Sequence, residues 1–193
     1  LKLSGGLLQI HQRQVIHADI WPPNILVQSD KTPVFIDFGE SSFRELGIDT
    51  AGRHASKQPF VAPEGSGTVG ADIYSLGCVL FYLATGQKRP PDEIRKEEMD
   101  NIDVLKNKIA DEVKSCNKRL YEENAGIIDV ITRCLRRSQH QRIPHAEGLI
   151  QDIETFAERF PNERFKIARV QKIYDDLNKN NPLFSWMANL RIR

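Results

Sequence analysis

Apolar residues recur at helical spacing along much of the chain and predict a mainly α-helical protein. Intervals of three and four residues predict helices over about residues 102–113, 125–135 and 146–160, and a first helix that runs from about residue 3, through Val15 and Ile16, into a turn before His17. The segment 71–84 is apolar on nearly every side, so it predicts a helix that is buried over most of its surface. Gly86 follows this segment and predicts its end, because glycine readily adopts the left-handed conformation that terminates many helices.

Two short runs of branched, apolar residues near the start of the chain differ from this pattern. Residues 24–27 and 34–36 flank the polar stretch 28–33, so they predict a small β-hairpin. The stretch 40–58 is polar without an apolar period, which predicts a long surface loop. The charged stretch 88–100 contains two adjacent prolines and predicts a surface connection. The predicted fold class is therefore mainly α with a small β-hairpin.

Composition narrows the class of protein. The 193 residues carry a net charge of +1, which gives no electrostatic argument for a nucleic-acid partner or an anionic membrane. The most apolar run, residues 74–84, is too short to cross a bilayer. The cysteines Cys78, Cys116 and Cys134 lack metal-type spacing and predict reduced, mostly buried thiols. We therefore expect a cytoplasmic globular protein with no membrane and no nucleic acid among its partners.

Three side chains near the start of the chain have the layout of a phosphoryl-transfer site. Asp19 and Asn24 lie in one short segment, and Asp37 follows in Ile36-Asp37-Phe38-Gly39. A carboxylate such as Asp19 can orient an acceptor hydroxyl and take its proton. Asn24 and Asp37 supply a carbonyl and a carboxylate oxygen, the ligands that Mg²⁺ prefers.

Five motifs in order carry a family resemblance. They are His17-Ala18-Asp19 through Asn24, Asp37-Phe38-Gly39, Ala62-Pro63-Glu64, Asp72-Ile73-Tyr74-Ser75-Leu76-Gly77, and Arg142. Together they resemble the C-terminal lobe of a eukaryotic-type protein kinase over residues 1–158, with an activation segment at 37–64 and a central helix at 72–84. Residues 159–193 are then expected to form a C-terminal helical extension or tail.

The resemblance implies roles for particular residues. ATP and Mg²⁺ are the expected cofactors, with Asp19 as catalytic base and Asn24 and Asp37 as metal ligands. Leu26 is expected beneath the adenine, so Leu26 and Asp37 are the expected nucleotide-binding residues. Structural roles are implied as well: a Glu64–Arg142 ion pair, Asp72 bound to backbone amides of the catalytic loop, and His17 stacked on Phe38.

The chain departs from the family in several respects. It contains no glycine-rich loop and no strand lysine for the phosphates, so we expect a protein substrate and a missing N-terminal lobe or partner protein. Ala18 and Trp21 replace an arginine and a lysine of the family, and the loss of the arginine argues against switching by phosphorylation at Ser41, Ser42, Thr50 or Ser56. Lys57 stands near the place of a family threonine. One hypothesis is that Lys57 supplies positive charge near Asp19; the alternative is an exposed loop lysine.

Three functions follow from this comparison. The first is ATP- and Mg²⁺-dependent transfer to Ser/Thr hydroxyls of proteins, which we expect to be inactive without the N-terminal lobe. The second is a pseudokinase or scaffold that binds partners, through the basic Arg133, Arg136 and Arg137 patch or another surface. The third is a small-molecule kinase of the aminoglycoside or fructosamine type, which the Trp21-Pro22-Pro23 sequence resembles. The Ala62-Pro63-Glu64 motif and the Asp72 helix argue against the third.

Overall fold

A long buried helix lies at the centre of the fold. The computed structural model describes residues 2–43, 60–87, 90, 94, 96–123 and 125–159. Helix α2, Val69–Thr85, is buried along nearly its whole length, as its continuous apolar sequence predicts. The Thr68 hydroxyl accepts a hydrogen bond from the Ala71 amide and caps the N-terminus of the helix. Gly86 ends the helix with a φ of 74°, as predicted.

The remaining helices pack against α2 or against one another. They are numbered in chain order as α1 Lys2–Gln12, α3 Ile102–Cys116, α4 Lys118–Glu123, α5 Ala125–Cys134 and α6 Ala146–Arg159. Helices α3 and α5 both contact α2, and α1 contacts α6. The helices predicted over 102–113, 125–135 and 146–160 are confirmed. The short helix α4 was not predicted, because its sequence KRLYEE has no apolar period.

Two small antiparallel sheets position the residues around Asp19 and Asp37. Strand β2, Ile25–Val27, pairs with β3, Pro33–Phe35, which confirms the predicted hairpin. Strand β1, Val15–Ile16, pairs with β4, Ser42–Phe43. These four strands are the ones that the described part of the chain contains.

The pairing of β1 with β4 corrects two predictions. The first helix ends at Gln12 and does not continue to residue 16, because Gln14 has a φ of 56° and the chain then enters β1. The predicted loop 40–58 is wrong at its start, since Ser41 and Ser42 are buried. The rest of that predicted loop, residues 44–58, lies outside the described residues.

Burial also corrects smaller predictions. Ile94 and Met99 are buried, so the stretch 88–100 is not wholly a surface connection. Cys78 and Cys134 are buried free thiols as predicted, whereas Cys116 is exposed. Burial raises the pKa of Cys134 to about 12, which keeps this thiol protonated. No helix among the described residues is long and apolar enough to cross a membrane.

Candidate active site

The carboxylate of Asp72 holds the backbone at the start of the segment 17–24, which the family resemblance predicts to be the catalytic loop. Asp72 lies in the first turn of α2 and is almost completely buried. Its carboxylate accepts hydrogen bonds from the amides of His17 and Ala18, each at 2.9 Å. The His11 ring contacts the same carboxylate through Nε2 at 2.9 Å. The expected contact between Asp72 and the loop amides is therefore confirmed, and His11 is an additional partner that no sequence signal indicated.

Asp19 and Asn24 form one buried unit. The Asn24 amide Nδ2 donates to the Asp19 backbone carbonyl at 2.9 Å and to its Oδ2 at 2.6 Å. A turn of 3₁₀ helix, Pro22–Asn24, brings the two side chains together, and the Asn24 backbone amide closes it by donating to the Trp21 carbonyl at 3.0 Å. Because Nδ2 points to Asp19, the Oδ1 atom of Asn24 is the one left for a cation. Trp21 itself is half-buried against the core.

The β2–β3 hairpin places the backbone of Asp37 close to Asn24 in the fold. Ile25 pairs with Phe35, and the Ile36 amide donates to the Asn24 carbonyl at 2.9 Å. Asp37 therefore follows directly after the residue that pairs with Asn24. Its carboxylate is exposed and accepts a hydrogen bond from the Gly39 amide at 3.3 Å.

Other predicted site residues have different positions. Leu26 is half-buried in β2, opposite Val34. Lys57, Thr50 and Ser56 lie outside the described residues, so the hypothesis that Lys57 supplies charge near Asp19 stays a prediction. The described residues contain no group of three or more His, Cys, Asp or Glu side chains that could hold a metal.

His17 connects the catalytic loop to the segment that carries Asp37. Its ring lies 4.7 Å from the Phe38 ring, which confirms the expected stacking. Nε2 bonds to the Ile36 carbonyl at 3.2 Å, and Nδ1 accepts from the Asp19 amide at 3.3 Å. This pattern requires the neutral ring with the proton on Nε2. Burial favours the same form and lowers the pKa of His17, against the opposing effect of the nearby carboxylates.

An ion pair anchors the Ala62-Pro63-Glu64 segment. The guanidinium of Arg142 makes two bonds to the Glu64 carboxylate, one of them between Nη2 and Oε2 at 2.7 Å. It also donates to the Gly70 carbonyl at 3.0 Å and lies 4.9 Å from the centre of the Tyr74 ring. The Glu64–Arg142 pair expected from the motifs is confirmed.

The proposed basic patch does not form a uniform surface. Arg136 is buried and donates to the Gln141 side chain. Arg133 pairs with Asp152, and Arg137 lies 3.5 Å from Asp100. The prediction of a basic binding face is therefore wrong for Arg136, and the other two charges are already opposed by carboxylates.

Comparisons with known proteins agree with this geometry. A protein kinase domain family model matches residues 1–152. The chain is 25% identical over 190 residues to a protein named as a probable serine/threonine-protein kinase from Clostridium acetobutylicum, covering 94% of this chain and 28% of the relative. It is 39% identical over 93 residues to the MAP kinase kinase skh1/pek1 of Schizosaccharomyces pombe, covering 46% of this chain and 25% of the relative.

A third relative is the serine/threonine-protein kinase PknJ of Mycobacterium tuberculosis, 40% identical over 95 residues, which are 45% of this chain and 16% of the relative. The chain belongs to the protein kinase domain family. It spans less than a third of the length of each of these three relatives.

Proposed function

We propose that the chain carries the part of a protein kinase that orients the acceptor hydroxyl and binds magnesium. The observation that carries the proposal is the bond of 2.6 Å between Asn24 and the Asp19 carboxylate, with Asp37 one residue beyond the partner of Asn24 in the hairpin. The names of the relatives support serine and threonine hydroxyls of proteins as acceptors.

In this proposal each side chain has one task. Asp19 orients the acceptor hydroxyl and takes its proton as the new oxygen–phosphorus bond forms and the bond to the ADP oxygen breaks. Asn24 Oδ1 and the Asp37 carboxylate hold magnesium, and the half-buried Leu26 offers an apolar surface to the adenine. The donor set fits Mg²⁺, because both protein ligands are oxygens and phosphates and water complete its coordination. Bound Mg²⁺ neutralises charge on the phosphates.

Positive charge for the phosphates must come from other groups in this proposal. Ala18 and Trp21 are uncharged, and the proposal assigns Lys57 to the neighbourhood of Asp19. We further propose that an N-terminal lobe or a partner protein covers the nucleotide. The 193-residue chain alone is then expected to show no ATP binding by isothermal titration calorimetry, even with Mg²⁺ in excess over the nucleotide.

A binding function without phosphoryl transfer is the second candidate. Trp21 favours it, because a half-buried indole stands two residues after Asp19 where the family carries a lysine. A small-molecule kinase is less well supported, since the Glu64–Arg142 pair and the Asp72 contacts are of the protein-kinase type.

A substitution of the proposed base separates the two candidates. In the natural protein that carries this chain, Asp19→Asn is expected to lower kcat for a Ser/Thr peptide by about 100-fold or more. Asp129→Asn is the matched control, because Asp129 lies on the surface of α5 in an exposed pair with Lys106. Equal activity of Asp19→Asn and the native protein would overturn the catalytic role, and an inactive native protein would favour the binding function.

A further inference from the structure

The loop that carries Asp37 adopts a conformation that needs support from its neighbours. Asp37 has a φ of 62°, a left-handed value that is unfavourable for a residue with a side chain. Asp37, Phe38 and Gly39 are all exposed, and Phe38 retains 40% of its accessible surface. Packing over the loop therefore does little to hold the carboxylate in place, and contacts at its two ends must do so.

Both ends of the loop are bonded to His17. At the first end, the His17 Nε2 atom contacts the Ile36 carbonyl at 3.2 Å. At the second end, the Ser41 hydroxyl donates to the His17 carbonyl at 3.0 Å. The Ser41 amide also donates to the Phe38 carbonyl at 3.1 Å, which closes the turn, and the Phe38 ring stacks on the His17 ring.

Ser41 lies in the stretch 40–58, which the sequence predicts to be a surface loop. It is 1% exposed and directly precedes β4, whose residue Ser42 pairs with Ile16. A phosphate on the Ser41 hydroxyl has no room here unless β4 separates from β1. The position of Ser41 suits a permanent structural contact and does not suit reversible modification.

We propose that Ser41 is a positioning residue for Asp37, acting through His17 to fix the direction of the carboxylate. The proposal rests on the proposed function, in which Asp37 is a magnesium ligand. The Ser41–His17 bond fixes the end of the loop that the hairpin does not reach. Its loss leaves the left-handed turn at Asp37 supported from one side, so the carboxylate samples a wider range of directions.

The test compares two variants that each remove a buried hydroxyl bonded to a backbone carbonyl. Ser41→Ala removes the contact with His17, and Thr132→Val removes the 2.6 Å bond of Thr132 to the Ile128 carbonyl in α5, remote from the loop. Kinase activity of the natural protein that carries this chain is measured against Mg²⁺ concentration, and Mg²⁺ binding to the same protein with a non-hydrolysable ATP analogue is measured directly by isothermal titration calorimetry. Ser41→Ala is expected to raise the half-maximal Mg²⁺ concentration about three- to tenfold, with kcat at saturating Mg²⁺ nearly unchanged. Thr132→Val is expected to leave it unchanged.

Other outcomes would overturn either the positioning role of Ser41 alone or the proposed function together with it. An unchanged Mg²⁺ requirement in Ser41→Ala, or equal shifts in Ser41→Ala and Thr132→Val, overturns the positioning role alone. A native protein whose activity needs no divalent ion, and in which Asp37→Asn has no effect, overturns the proposed function and the positioning role with it. Ser41→Cys keeps a small side chain with a weak donor, so it gives a smaller shift in the same direction and tests the bond if Ser41→Ala does not fold.

Discussion

Two residues of the candidate site have a left-handed backbone although neither is glycine. Ala18 and Asp37 both have a φ of 62°. A side chain in this region costs about 1–2 kcal/mol relative to glycine, so the surrounding bonds must compensate. At Ala18 the compensation is visible, since its amide and that of His17 both bind the Asp72 carboxylate. Strain at both positions is consistent with a site whose geometry is set by neighbouring residues and not by local preference.

Ala18→Gly tests this strain directly. Glycine removes the steric penalty but adds unfolded-state entropy, so we expect the free energy of unfolding to stay equal or to rise by up to about 1 kcal/mol. Ala110→Gly in α3 is the control, because the same change in an ordinary helix lowers stability by about 1 kcal/mol. Urea unfolding of both variants measures the difference, and equal losses would show that Ala18 is not strained.

The lowered pKa of His17 predicts how stability depends on pH. The native pKa lies below the ordinary value of 6.5, chiefly through burial. Between the two values the unfolded chain binds more protons than the native protein, so stability falls as the pH decreases through 6.5 towards the lowered pKa. Above that window the effect is absent, since His17 is neutral in both states. The negative charges of Asp72 and Asp19 raise the pKa of His17 and so oppose the effect of burial.

Urea unfolding between pH 5 and 8, spanning the ordinary histidine pKa, checks this expectation. His17→Gln is expected to weaken the loss of stability at the acidic end. His140→Gln, at an exposed position, is expected to retain the native profile. A profile of His17→Gln that is parallel to the native one would contradict the prediction.

At the scale of single elements, two helical glycines have opposite surroundings. A Cβ on Gly77 in α2 would lie 2.5 Å from the Cβ of Cys134 and 3.2 Å from the Leu135 side chain. A Cβ on Gly5 in α1 would meet nothing within 4 Å. The first glycine permits the close approach of α2 and α5, whereas the second only weakens its own helix.

Alanine at the two positions is therefore expected to have opposite effects. Gly77→Ala should destabilise the protein by about 1–3 kcal/mol, because neither helix can move without disturbing the core. Gly5→Ala should stabilise it by about 0.5–1 kcal/mol through better helix propensity. Thermal or urea unfolding gives both values. A neutral Gly77→Ala variant would show that the helices have room to separate.

How far the sequence predicts these elements depends on their length. The helix α2 and the hairpin are predictable, because a continuous apolar segment or two branched runs around a polar turn leave few alternatives. Strands β1 and β4 have two residues each, and their pairing depends on partners far apart in the chain. Val15 and Ile16 extend the helical period of α1, and only the left-handed Gln14 separates them from it.

The same distinction applies to the site. The spacing of Asp19, Asn24 and Asp37 indicates the chemistry, since residue types and order are visible in the sequence. The supporting contacts of His11 and Ser41 cannot be predicted from the sequence, because a histidine in a helix and a serine in a polar stretch have many possible surroundings. Their roles appear only when Asp72 and His17 are placed beside them.

At the scale of the whole molecule, the Glu64–Arg142 pair joins segments that are 78 residues apart. Arg142 is 5% exposed, and it also donates to the backbone carbonyls of Gly70, Arg136 and Arg137. One guanidinium thus connects the segment before α2 to the connection between α5 and α6. Removal of its carboxylate leaves a buried charge without its main partner.

A double-mutant cycle on this pair measures the coupling. Glu64→Ala is expected to destabilise the protein by about 3 kcal/mol, at the low end for a broken buried pair because Glu64 is partly exposed. Arg142→Met is expected to lower the free energy of unfolding at least as much, since it also leaves three backbone carbonyls without their hydrogen-bond donor. The double variant should be more stable than the sum of the single losses predicts by about 1 kcal/mol or more, because no charge is then left unpaired. Additive losses in urea unfolding would mean that the two side chains stabilise their segments independently.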